Sequence, residues 1–166
     1  MKRWMLALAV AVIAAGCGVL GESREDRIAR EAREAQMVRE AIANQEFTID
    51  VDQMLPARGP SKMLSTPYSL TVKDGKIGSY LPYFGQAWNV PYGGGHALNF
   101  DAEIGSYSSQ ETKPGVYDVN IFVRTDEDEH LYTLRIFDNG RTSIEVRSRN
   151  RDRISFMGQM RFDDEQ

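Results

Sequence analysis

Cysteine and histidine are nearly absent from this chain: one and two, respectively, among 166 residues. That scarcity excludes a disulfide framework and a Cys/His zinc site. A surplus of positive charge is also missing. Twenty Lys and Arg stand against 24 Asp and Glu, a formal net charge of −4, and a general nucleic-acid binder needs a basic surface to meet phosphates. No apolar run is long enough to span a bilayer. The stretch Trp4 to Ala15 holds twelve uncharged residues, where a membrane helix needs about 20. The length suits one domain and leaves no room for separate cofactor and substrate halves. Nucleophile-elbow, zinc-protease and phosphate-loop signatures do not occur.

What the N-terminus does have is an address. Lys2 and Arg3 precede the apolar run, which has the length of a signal-peptide core. The run ends in Ala14-Ala15-Gly16-Cys17, small residues followed by cysteine. This resembles the lipobox of bacterial lipoproteins. The resemblance implies a lipoprotein-type signal peptide over residues 1–16, and acylation of Cys17, as by palmitate, at the start of the mature chain. Stable anchoring takes more than one acyl chain, which a multiply acylated cysteine supplies. Cleavage removes Lys2 and Arg3 and no acid, moving the net charge from −4 to −6. Gly18 follows the cysteine where some inner-membrane lipoproteins carry aspartate, and the first acid is Glu22. The expected location is the bacterial outer membrane, facing the periplasm, with the membrane as a partner through Cys17.

A second segment, within residues 17–44, reads as a linker and charged helix. From Glu22 to Asn44 neither Pro nor Gly appears, and Ser23 followed by Asp26 has capping-box spacing. Ile28, Ala32, Ala35, Val38 and Ile42 recur at three and four residues, one narrow stripe. Two alanines make it thin for a coiled coil. A stalk that partly docks on the following domain is expected.

Residues 45–163 change to a period of two. Phe47, Ile49 and Val51 alternate with polar residues, as do Val119, Ile121 and Val123, then Leu134 and Ile136, then Ile144 and Val146. Asp74-Gly75 and Asn139-Gly140 mark tight hairpin turns. With a pair of short strands near 98–100 and 104–108, and a last strand through Ile154 and Phe156, eight or nine strands are expected. The fold class is therefore mainly β: an antiparallel meander closing into a lipocalin-like barrel, behind an N-terminal charged helix. Closure removes exposed edges, although the same pattern permits a two-sheet sandwich. In a meander the acidic tip Asp126 to Glu129 and the basic connection Arg149 to Arg153 fall at the same end, so the two should face each other.

The unusual stretch is Ser79 to Gly95. Six aromatics fall between Tyr80 and Phe100, interrupted by two prolines and four glycines. Tyr80, Tyr83, Phe84, Trp88 and Tyr92 are the candidate ligand-binding residues, at the mouth of a barrel. The competing reading is a lid whose rings finish the core. Gly93 to Gly95 are followed by no Lys-Ser/Thr, so they do not form a phosphate cradle. Asp126 to Glu129 lack the spaced ligands and glycine of a calcium loop and read as a solvated tip. His96 and His130 read as polar loop residues, although a Ser, a His and an acid can converge in space.

The motifs Thr66-Pro-Tyr-Ser-Leu70, SYLPYFG at 79–85, PYGGG at 91–95 and Leu98-Asn-Phe-Asp-Ala102 resemble an uncharacterised lipoprotein family of Bacteroides-type bacteria, domain of unknown function 4251. The resemblance continues through Asp138-Asn-Gly140 and Ile154-Ser-Phe156 and covers about 40–161. It implies a lipid-anchored, exported β domain and carries no catalytic residue, metal or cofactor. The expectation is a non-enzymatic envelope lipoprotein that binds a small apolar ligand or an envelope component. The alternative is a filled barrel that docks a protein partner. Nucleic acid is not an expected partner.

Overall fold

The computed structural model describes residues 23–88 and 97–162. The signal peptide and Cys17 lie outside these residues, as do Tyr92, the triple glycine and His96. The first element is α1 (Arg24–Asn44). Ser23 caps it as its spacing requires, its hydroxyl accepting from the Asp26 N–H at 3.1 Å. Exposed ion pairs one turn apart follow, Arg27 with Glu31 and Arg30 with Glu34. The helix stops at Gln45, which takes the left-handed conformation. Only Val38 and Ile42 of the stripe are buried, whereas Ile28 is 53 % exposed. The stripe is thus buried only at its C-terminal end, where Val38 and Ile42 meet the barrel end.

Eight strands follow: β1 (Phe47–Pro56), β2 (Lys62–Lys73), β3 (Lys76–Tyr80), β4 (Asn99–Lys113), β5 (Val116–Arg124), β6 (Glu129–Phe137), β7 (Arg141–Ser148) and β8 (Ile154–Met160). Each pairs antiparallel with the next, and β8 returns to β1, so the meander is a closed barrel. Asp74 and Gly75 both have positive φ, which a two-residue hairpin turn demands. The short strands expected near 98–100 and 104–108 are one 15-residue strand, β4. Bulges on its β5 side, at Gly105 and before Lys113, bend it around the barrel without ending it. The hairpin joining β1 to β2 extends further than the alternation suggested. Pro67 is tolerated inside β2 because the β1–β2 register jumps there, from Met63 to Tyr68.

The barrel closes where β8 crosses β1. Val51 pairs with Gly158, and a Cβ on Gly158 would run into the Asp50 carbonyl oxygen. Inside, Ile49, Leu70, Val72, Ile77, Val119, Ile121, Leu134, Ile136, Ile144 and Phe156 are each 0 % exposed. A void wide enough for a ligand would leave accessible area on the side chains that wall it. These inward residues meet one another instead, and the interior is a packed core. α1 covers the end that holds the 74–75, 114–115 and 139–140 turns. There Glu31 and Glu34 border a hollow with Asp138 and Asn139, and the Tyr107 hydroxyl donates to the Ile42 carbonyl at 2.9 Å.

Candidate functional site

At the other end of the barrel, the β5–β6 loop is wound tight by one side chain. The Thr125 hydroxyl accepts from the N–H groups of Glu127 and Asp128 and donates to the Asp128 carbonyl. That winding turns the Asp128 carboxylate inward. It accepts from the N–H of Glu129 at 2.8 Å and from the backbone and side-chain nitrogens of Asn150 at 3.2 Å. Arg151, buried like Asp128, sits 3.8 Å from it and 3.5 Å from Glu127. The acidic and basic tips therefore meet, as the meander requires. Asp128 is a buried hub and not the solvated tip residue that its charged neighbours suggest, because four strand ends converge on it.

Behind the hub stands His130. It is a strand residue, 1 % exposed, and not a loop residue. Its ring stacks on Phe100 at 4.9 Å, its Nδ1 meets the Ser148 hydroxyl at 2.8 Å, and its Nε2 has no partner among the described residues. Burial pushes its pKa below the usual histidine range, against the opposing pull of Asp128. Ser148, His130 and an acid do converge, but not as a catalytic triad. The Asp128 oxygens are used by Glu129 and Asn150, and the free ring nitrogen is sealed from solvent. A base must reach its substrate and be oriented by its acid; His130 does neither.

The aromatic loop is strapped across this end. The Tyr83 hydroxyl donates to the Gln86 carbonyl at 2.7 Å, the Asp152 N–H donates to the same carbonyl, and the Trp88 N–H donates to the Asn150 carbonyl at 2.9 Å. Tyr83 lies against the Arg151 guanidinium, 5.5 Å from its ring centroid. Burial raises the Tyr83 pKa. Phe84 and Trp88, in contrast, are 58 % and 67 % exposed. Lys62 lies 3.7 Å from the Phe84 ring centroid, and Tyr80, half-exposed, pairs with Tyr68 at 5.3 Å. The four candidate residues that are described therefore point in different directions: Tyr83 into the hub, Phe84 and Trp88 outward, Tyr80 onto the barrel wall.

Hollows lie outside the barrel and at its rim. One of about 500 Å³ has Gly78 in its floor, between Thr71, Tyr80 and Asp101. A second, of about 450 Å³, separates Phe100 to Glu103 from Arg124 to Glu127. Among the described residues no group of His, Cys, Asp or Glu is arranged to hold a metal ion. No described helix is long and apolar enough to cross a membrane. Sequence reasoning missed Asp128, His130, Ser148 and Arg151 as a cluster. The facing of the two charged tips was the one available signal.

Residues 29–160 match the model of a family described as Domain of unknown function (DUF4251). The chain belongs to this family. A solved DUF4251 protein from Bacteroides eggerthii DSM 20697 has a similar fold, with a TM-score of 0.61 at 14 % identity, covering 80 % of this chain and 89 % of that one. At that identity the likeness concerns the fold of the DUF4251 barrel. No curated protein matches the chain.

Proposed function

We propose that this DUF4251 chain is a lipid-anchored protein of the bacterial cell envelope, tethered through Cys17, whose filled barrel docks a protein partner and carries out no chemistry of its own. One contrast carries the reading. The inward residues are sealed at 0 % exposure while Phe84 and Trp88 are held outward at 58 % and 67 % on a hydrogen-bonded strap. Aromatic rings kept in water by a built loop are the kind of group that anchors a protein interface. A small apolar ligand inside the barrel has less support, because the interior is already full.

Geometry favours the same direction. Cys17 precedes α1, and α1 joins the barrel at the end remote from the strap. A chain anchored there presents Phe84 and Trp88 away from its membrane. The undocked first turns of α1 add a short spacer, at about 1.5 Å per residue.

Two measurements test the reading. Cys17→Ser is expected to abolish incorporation of labelled palmitate and move the protein from the membrane to the soluble fraction. Unchanged membrane association would remove the anchor. A photocrosslinking amino acid in place of Trp88 is expected to capture a discrete envelope protein in cells, whereas the same group in place of Ile28 is not. Equal capture from both positions would overturn docking through the strap.

A further inference from the structure

We infer that the first residues of β4 are a docking edge for an extended peptide segment of a partner protein, one that alternates basic and apolar side chains. This rests on the docking reading above and names the chemistry of the partner. The argument begins with the register. β4 pairs with β3 from Asn99 to Glu103, but pairs with β5 only from Ile104 onward. β5 has ended at Arg124, and its loop winds tightly on Thr125 instead of continuing the ladder. A seam opens there, the hollow of about 450 Å³ bordered by Phe100, Asp101, Ala102 and Glu103 on one wall.

Backbone direction along the seam follows from two hydrogen bonds. The Leu81 N–H donates to the Leu98 carbonyl, and the Ile104 N–H donates to the Gly75 carbonyl. In an antiparallel pair alternate residues bond to the same neighbour, so 98, 100, 102 and 104 bond to β3. Asn99 and Asp101 turn their N–H and C=O groups the other way, into the seam. The ladder to β5 begins only at Ile104, and among the described residues no bond from outside the strand ladders reaches these four groups. Paired donors and acceptors along an extended edge are met by another strand, lying about 4.8 Å away.

Side chains set the pattern of that strand. Phe100 and Ala102 face the core side and are only partly buried, so alternate residues of the incoming strand would cover them with apolar groups. Asp101 and Glu103 face outward and are exposed. Asp126 stands on the facing wall, while Arg124 beside it is held by Glu129 at 2.8 Å and Glu127 is engaged by Arg151 at 3.5 Å. The outward positions of the guest are therefore basic. A second copy of this chain does not fit, since edge-to-edge pairing would set Asp101 and Glu103 against their own kind.

The test uses the full chain in detergent and a blocked decapeptide of alternating lysine and valine. With saturating peptide, the amides of Asn99 and Asp101 are expected to exchange with deuterium about tenfold more slowly, as newly bonded amides do. The same peptide N-methylated at alternate residues, which keeps the charge and loses the donors, is expected to give no protection. Asp101→Lys is expected to weaken the peptide about tenfold, the usual scale for a charge in direct contact, with unchanged thermal stability. Unprotected amides at millimolar peptide, or equal binding of the methylated peptide, would overturn the strand. Crosslinks from position 88 together with an unprotected seam would leave docking through the strap standing and remove this edge from it.

Discussion

His130 concentrates the energetics of the rim in one ring. Its surroundings are Phe100, Tyr132 and Ser148, with Asp128, Glu127 and Arg151 as the nearby charges. Protonating the ring would put a buried N–H at Nε2 with no acceptor among the described residues. The folded protein therefore holds His130 neutral below the pH at which the unfolded chain takes up its proton. The stability this neutral ring supports is complete above the unfolded value and is lost as pH falls below about 6.5. Urea unfolding between pH 7 and pH 5 is expected to lose up to about 1.4 kcal/mol per pH unit from this site. His130→Gln, neutral at every pH, is expected to flatten that slope; an unaltered slope would show that the loss comes from other groups. Little of this was legible in the sequence. A histidine preceded by four acids reads as a polar tip, and only the crossing of β4, β6 and β7 buries it.

At the scale of an element, α1 shows how far local signals reach. Its start, capping residue and length follow from Ser23, the spacing to Asp26 and the lack of Gly or Pro, and the helix forms where these place it. Which part of its stripe packs is a tertiary matter. Val38 and Ile42 lie on the barrel end, and Ile28, equally apolar and in phase with them, lies in water. Ile42→Ala is expected to cost about 2–5 kcal/mol, the range for a truncated core side chain. Ile28→Ala is expected to stay within about 0.5 kcal/mol, as for ordinary surface positions. Chemical denaturation of both variants checks the contrast, and a matching loss at Ile28 would mean that the helix packs along its whole length. The aromatic loop behaves in the same way. Its composition marked it as unusual, but the inward turn of Tyr83, whose hydroxyl also donates to the Asp152 carbonyl, and the outward set of Trp88 depend on hydrogen bonds to residues 150–152, far along the chain.

For the whole molecule, the decisive joint is the β1–β8 crossing, which turns a meander into a barrel. Gly158 allows it, since any Cβ there would meet the Asp50 carbonyl. Gly158→Ala is expected to destabilise the fold by about 1–3 kcal/mol, the usual cost of forcing extra volume into a packed site, and equilibrium unfolding measures it. A neutral substitution would show that the two strands have slack. The sequence by itself determined the strand pattern, the hairpin turns, the helix and the meeting of the acidic and basic tips. These depend on side-chain period, on backbone preferences at residues such as Asp74 and Gly75, and on the parity of a meander. Barrel closure was also the expected outcome of the meander, and the tertiary structure excluded the sandwich that the same pattern permits. Tertiary structure alone decided that the barrel is filled, that β4 is one strand bent by bulges, and that His130, Asp128 and Arg151 are buried together. The physical reason is that alternation marks which side chains face inward without saying how much space remains between them. Burial of a polar group likewise depends on which distant segments cross over it.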